Sequence, residues 1–119
     1  MTPREMLELA AKAAGYTVNA NMQAERDALG YGDDGLWIDG VSTCWNPRDD
    51  SRSAFELLAA MPSLWGLSLK FGAPSIEMDV AWGHGSILCV EYAGRGVDRA
   101  SAMRAAIVRA AAEIGKAMP

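Results

Sequence analysis

Two runs of alternation, Trp65-Gly66-Leu67-Ser68-Leu69-Lys70-Phe71 and Ile76-Glu77-Met78-Asp79-Val80-Ala81-Trp82, restrict the folds open to this chain more than any other feature. Successive side chains of a strand point to opposite faces, so each run reads as a strand with one apolar side. The Gly72-Ala73-Pro74 turn between them is far shorter than a parallel crossover requires, which makes the pair antiparallel. Gly83-His84-Gly85 then leads into a third strand, with Leu88, Val90 and Tyr92 on one side and Ile87, Cys89 and Glu91 on the other. In the first two strands the second face is polar, so one side of this meander packs on helices while the other is exposed or only partly covered.

The helices announce themselves by their caps. Thr2 with Glu5 forms a capping-box pattern around Pro3, apolar positions recur through Ala14, and Gly15 supplies the left-handed stop, which predicts a helix over 3–14. A second helix follows Pro47. Either Asp50 caps it, or Ser53 does with Glu56 in the box position, and Phe55, Leu58 and Met61 form its inner face until Pro62. The third starts at Asp98 and carries a stripe of Met103, Ile107, Ala110, Ala111, Ile114 and Met118, with Arg104, Arg109 and Lys116 outside it. Between the first two helices the pattern weakens: Tyr16 to Ala20 suits a short strand, Met22 to Leu29 two helical turns, and Leu36-Trp37-Ile38 a small edge strand. The expected fold is α+β, a three- to four-stranded, mainly antiparallel β-meander packed with N-terminal, central and C-terminal α-helices as an α/β/α-type sandwich. The chain of 119 residues forms one domain, large enough to bury roughly two thirds of its unfolded surface.

Charge is unevenly placed. From Glu25 to Asp50 seven acids, among them Asp33, Asp34, Asp39, Asp49 and Asp50, face only Arg26 and Arg48, a net charge of −5 against +1 for the remainder. Nonspecific nucleic-acid binding needs clustered Lys and Arg, so it is not expected; a partner with a basic surface fits better. Trp37 and Trp45 lie within this acidic stretch and complete a candidate partner-binding set with the five aspartates, because aromatics ringed by acids anchor interfaces. The competing reading has Asp49 and Asp50 serving the helix start and Trp45 packing beside Pro47.

Other chemistries find little support. His84, the single histidine, has a suitable pKa for acid–base work but sits between two glycines in a turn, a poor platform for preorganised catalysis. A small enzyme using His84 or the Asp33, Asp34, Asp49 and Asp50 carboxylates is the alternative to a binding protein. Asp33-Asp34-Gly35 departs from the calcium-loop spacing, and the glycines near Tyr31 lack the Gly-Lys-Ser/Thr of a phosphate loop, so neither metal nor cofactor is expected. Cys44 and Cys89 form no Cys-x-x-Cys pair and read as small buried hydrophobes. No apolar run reaches the ~18 residues of a membrane span, and the first residues lack a secretory signal, which predicts a cytoplasmic protein. Symmetric self-association through the polar sheet face or an edge strand is compatible with the pattern.

Trp45-Asn46-Pro47, the Asp49-Asp50 pair opening an apolar helix, and the closing stretch from Arg104 to Gly115 together resemble small phage and prophage proteins of the phage ABA sandwich type. The likeness covers most of the chain after about Leu36. It implies an α+β sandwich and a phage context inside a bacterial host, and brings no enzymatic activity or catalytic residues. The expectation is a non-enzymatic accessory protein that binds a host or phage protein, such as a component of a CRISPR defence system.

Overall fold

The computed structural model describes residues 1–31, 35–61, 64–82, 85–94 and 96–119, with the backbone alone at Leu64 and Trp65. The elements run α1 (Pro3–Ala14), α2 (Ala20–Ala28), β1 (Leu36–Ile38), β2 (Ser42–Trp45), α3 (Ser51–Ala60), β3 (Leu64–Phe71), β4 (Ser75–Trp82), β5 (Gly85–Tyr92) and α4 (Arg99–Ala117). The fold is α+β, with helices packed on antiparallel sheets.

The alternating runs form the expected meander, ordered β3-β4-β5 and antiparallel throughout. Its register aligns Leu67 with Val80 and Ile87, and Leu69 with Met78 and Cys89. That alignment assigns the two sides of β5: Ile87, Cys89 and Glu91 share the face of Ile76, Met78 and Val80, while Leu88 and Tyr92 point outward and are exposed. Helix α4 lies over β4 and β5 and leaves β3 projecting beyond it. The reason is dimensional, since a helix about 10 Å wide spans two strands spaced about 4.8 Å apart. Leu67 and Phe71 therefore stay 48% and 49% exposed although they are on the inner face, a correction to a β3 whose apolar side is fully covered.

Helix α1 has the expected bounds. Thr2 Oγ1 accepts from the Glu5 amide at 3.1 Å, and Gly15 closes the helix with φ at 76°. Its buried Leu7, Ala10, Ala11, Ala13 and Ala14 face inward, and α1 and α4 share the largest helix–helix contact among the described elements. Gly115 lies so close to α1 that an added Cβ would run into the Leu9 carbonyl oxygen. Helix α4 is buried well beyond the expected stripe, at Ala102, Ala106, Val108 and Ala112 as well, because it has the sheet on one side and α1 and α3 on others. Each large side chain it buries contributes roughly 1.5–3 kcal/mol.

Other expectations shift. Residues 16–20 make no strand: a single bridge joins Val18 to Ile38, and Asn19 caps α2, which begins at Ala20 rather than Met22. Strand β1 stays outside the meander and pairs with β2, a strand whose Ser-Thr-Cys-Trp sequence shows no apolar alternation to reveal it. In α3 the inner residues are Ala54, Leu57 and Met61, and Phe55 is 52% exposed. The orientation of this helix is set from outside it: Arg104 of α4 donates to Arg48 O at 2.9 Å and to Ser51 Oγ at 2.9 Å, fixing its first turn. Cys89 is buried as expected, whereas Cys44 is exposed. Among the described residues, no helix is long and apolar enough to cross a membrane.

The close α1–α4 approach yields a prediction opposite in sign to helix propensity. Gly to Ala within a helix ordinarily stabilises by up to about 1 kcal/mol. Gly115→Ala will instead lower stability by about 1–3 kcal/mol, the usual cost of overpacking. Chemical denaturation measures it, and an unchanged or raised midpoint would show that the helices separate freely.

Candidate functional site

The acidic segment is built on the β1–β2 ribbon and its flanks. Asp39 lies at the hairpin tip, where its amide donates to Thr17 O at 3.0 Å and its Oδ1 accepts from Asn19 Nδ2 at 3.0 Å. Asp49 lies in the turn before α3, and its Oδ2 accepts from Asn46 Nδ2 at 2.9 Å. The register pairs Leu36 with Trp45 and Ile38 with Ser42, so Asp39 and Asp49 stand at opposite ends of the ribbon. They do not converge on one cation-sized site. Both are exposed.

Asp50 has a different duty. It is the α3 N-cap, accepting from the amides of Arg52 and Ser53 and from Ser53 Oγ at 2.7 Å. These bonds, with the Ser53 hydroxyl first among them, hold its carboxyl below the ordinary carboxylate range. Asp98 at the start of α4 is lowered in the same direction by the Ser101 amide. Capping thus accounts for the second member of the Asp49-Asp50 pair.

The two tryptophans also part company. Trp45 is 0% exposed, its ring meeting Tyr16 edge-on at 5.6 Å between centroids. It belongs to the core and offers no surface, a correction to its place in the partner-binding set. Its indole N–H has no hydrogen-bond partner among the described residues. Trp37 is half-buried between the buried Leu36 and Ile38, and its amide donates to Gln23 Oε1 at 2.7 Å. Asp33, Asp34 and His84 lie outside the described residues.

Sequence reasoning missed what supports the ribbon. The buried Gln23 donates from Nε2 to Asp27 at 3.1 Å, and Arg4 grips both oxygens of Asp27 at 3.0 and 3.2 Å while also reaching Glu8 at 2.8 Å. This chain of contacts ties α1, α2 and β1 together. Arg4, and then Gln23, pull the Asp27 carboxyl below its usual range, and Asp27 in turn raises Arg4. A groove of about 340 Å³ beside it has Val18, Ala20 and Ala24 among its walls, but its charged groups Arg4, Glu8 and Asp27 are already spent on one another. Nearby, Arg26 stands over the Tyr31 ring at 5.8 Å and donates to Cys44 Sγ at 3.6 Å. Leu29, Tyr31 and Val41 are exposed, so this segment presents apolar groups beside its acids. The glycines around Tyr31 gave the sequence no period from which that could be read.

Among the described residues no three His, Cys, Asp or Glu side chains gather as a metal site. Comparison with known proteins found no matching family model, curated protein or solved structure. The site must therefore be read from its own geometry.

Two outcomes follow from the partners just described. Asp27, Asp50 and Asp98 all have lowered folded-state pKa values, so their stabilisation is present above the unfolded carboxylate pKa of about 4 and is lost as pH falls through the lower folded values. Asp50→Asn keeps a capping oxygen and will flatten the acid limb of a melting-temperature profile; an identical limb would contradict this account. Trp45→Ala will cost about 3–5 kcal/mol in denaturant unfolding, as large buried aromatics do. A loss under about 1 kcal/mol would mean the ring is not core.

Proposed function

We propose that this chain is a non-enzymatic accessory protein of phage or prophage origin that binds a host or phage protein through the acidic face of its β1–β2 ribbon. The partner carries a basic surface, as a component of a CRISPR defence system could. The observation that supports binding over catalysis is how the exposed acids are held. Asp39 and Asp49 are oriented by the carboxamides of Asn19 and Asn46 and not by cations, so their directions are fixed while their charges stay uncompensated by ion pairs among the described residues. Asp27, Glu56 and Glu91, by contrast, have arginine partners.

Fixed, exposed negative charge at both ends of a short ribbon, with Leu29, Tyr31 and Val41 exposed in the same segment, suits an interface better than a reaction centre. Charge steers the encounter and the apolar groups supply contact area. A reaction centre needs groups converging on one point, and Asp39 and Asp49 stand at opposite ends of the ribbon. The phage resemblance of the turn and closing helix supplies the context for the partner's origin.

The test removes charge and keeps shape. Asp39→Asn with Asp49→Asn retains an acceptor oxygen at each position and leaves the Asp50 cap intact. Affinity for the protein that copurifies with the tagged chain from a phage-bearing host will fall about tenfold or more, and its salt dependence will shrink, while the melting temperature changes little. Unchanged affinity would overturn the assignment of the ribbon as the interface.

A further inference from the structure

The two edges of the meander are unlike. At the β5 edge the Val90 carbonyl is reached by Arg109 Nη1 at 3.5 Å, and the same guanidinium pairs with Glu91 at 2.9 Å, placing a charged side chain along the strand. Such charge is a common guard against edge-to-edge pairing. The β3 edge is less guarded. No strand lies beyond it among the described residues, it holds no proline, its register irregularity is confined to its start between Leu64 and Gly66, and Lys70 is its only charged residue. Lys70 stands beside Glu77 of β4 on the outer face, which balances its charge locally. On the inner face Leu67 and Phe71 are half exposed because α4 stops at β4, and Arg99 stacks on the Phe71 ring at 5.3 Å without covering it.

We infer that β3 pairs antiparallel with β3 of a second copy of this chain, joining two three-stranded sheets into one of six strands about a two-fold axis at Leu69. This register is singled out by the exposed side chains. It places Leu67 opposite the partner's Phe71, Phe71 opposite the partner's Leu67, and the two Leu69 residues opposite each other, all on the inner face, because directly paired residues share a side. On the outer face it places Lys70 opposite the partner's Ser68, so no like charges meet. A second copy is the fitting occupant because the acidic surface of this chain, net −4, would repel itself elsewhere, whereas the described β3 edge brings no carboxylate of its own to the axis.

The area sets the strength. Eight strand residues run about 26 Å, and a sheet with the edge of its helix layer is about 20 Å deep, giving roughly 500 Å² per copy and 1,000 Å² in total. That is the lower bound for a specific interface, so the dimer is weak and reversible. The β1–β2 ribbon belongs to the other sheet and stays free, so each dimer presents two acidic faces and gains avidity for a repeated target.

Sedimentation of the full chain at tens of micromolar will show a concentration-dependent dimer, and Leu67→Glu will weaken it by about tenfold or more with little change in melting temperature. The register is read separately in a Cys44→Ser background: a mixture of Ser68→Cys and Lys70→Cys proteins will form disulfide heterodimers on mild oxidation, and neither variant alone will do so, because only the mixed pair brings Cα atoms to about 5 Å. A chain that remains monomeric at these concentrations, a dimer unaffected by Leu67→Glu, or crosslinking within either single variant would each overturn the proposal. None of these results bears on whether Asp39 and Asp49 bind a partner.

Discussion

The contact of α1 with α4 sets the spacing on which the other layers depend. At Gly115 α4 lies against the Leu9 carbonyl oxygen of α1 with no room for a methyl group. Alanines line the inner side of α1 and much of α4, and small side chains let backbones approach until dispersion contacts are made along a whole face. With α1 this close, α4 takes the centre of the molecule, with the sheet on one side and α1 and α3 on others. One central helix covers two strands, and the uncovered third follows from that geometry.

Polar contacts then fix the parts that apolar packing leaves loose. Arg104 joins α4 to the start of α3, where Asp50 already satisfies the first amides. Arg4, Asp27 and Gln23 connect α1 through α2 to the amide of Trp37. Two of the seven acids between Glu25 and Asp50 are thus structural: Asp27 is a clasp and Asp50 a cap. Asp39 and Asp49, held by carboxamides, are described acids of the segment left available for recognition. Burial of Trp45 narrows the surface further, leaving Trp37 half covered and Leu29 and Tyr31 as the exposed apolar groups of this region.

Function on this reading lies in surfaces. The ribbon and the β3 edge belong to different sheets, so a charged face for a partner and an apolar edge for self-pairing can act without competing. Their exposed side chains Asp39, Asp49 and Leu67 can change with little effect on the core, whereas Leu36, Ile38 and Trp45 of the ribbon belong to it.

The residues by themselves determined the meander, the caps at Thr2 and Asp98, and the bounds of α1, and narrowed the α3 cap to Asp50 or Ser53, because strand alternation and helix capping are short-range and leave a direct trace in neighbouring positions. They did not reveal β2, whose Ser-Thr-Cys-Trp sequence carries no apolar alternation, nor the inner face of α3, where two apolar sets compete at similar spacing. They left open the fates of Trp45 and Trp37, two aromatics eight positions apart in one acidic stretch. Only the tertiary structure decided those matters, together with the half-open state of β3, since each depends on which distant element arrives to cover a side chain: Tyr16 for Trp45, Arg104 for the start of α3, and for β3 a helix that ends its reach one strand short.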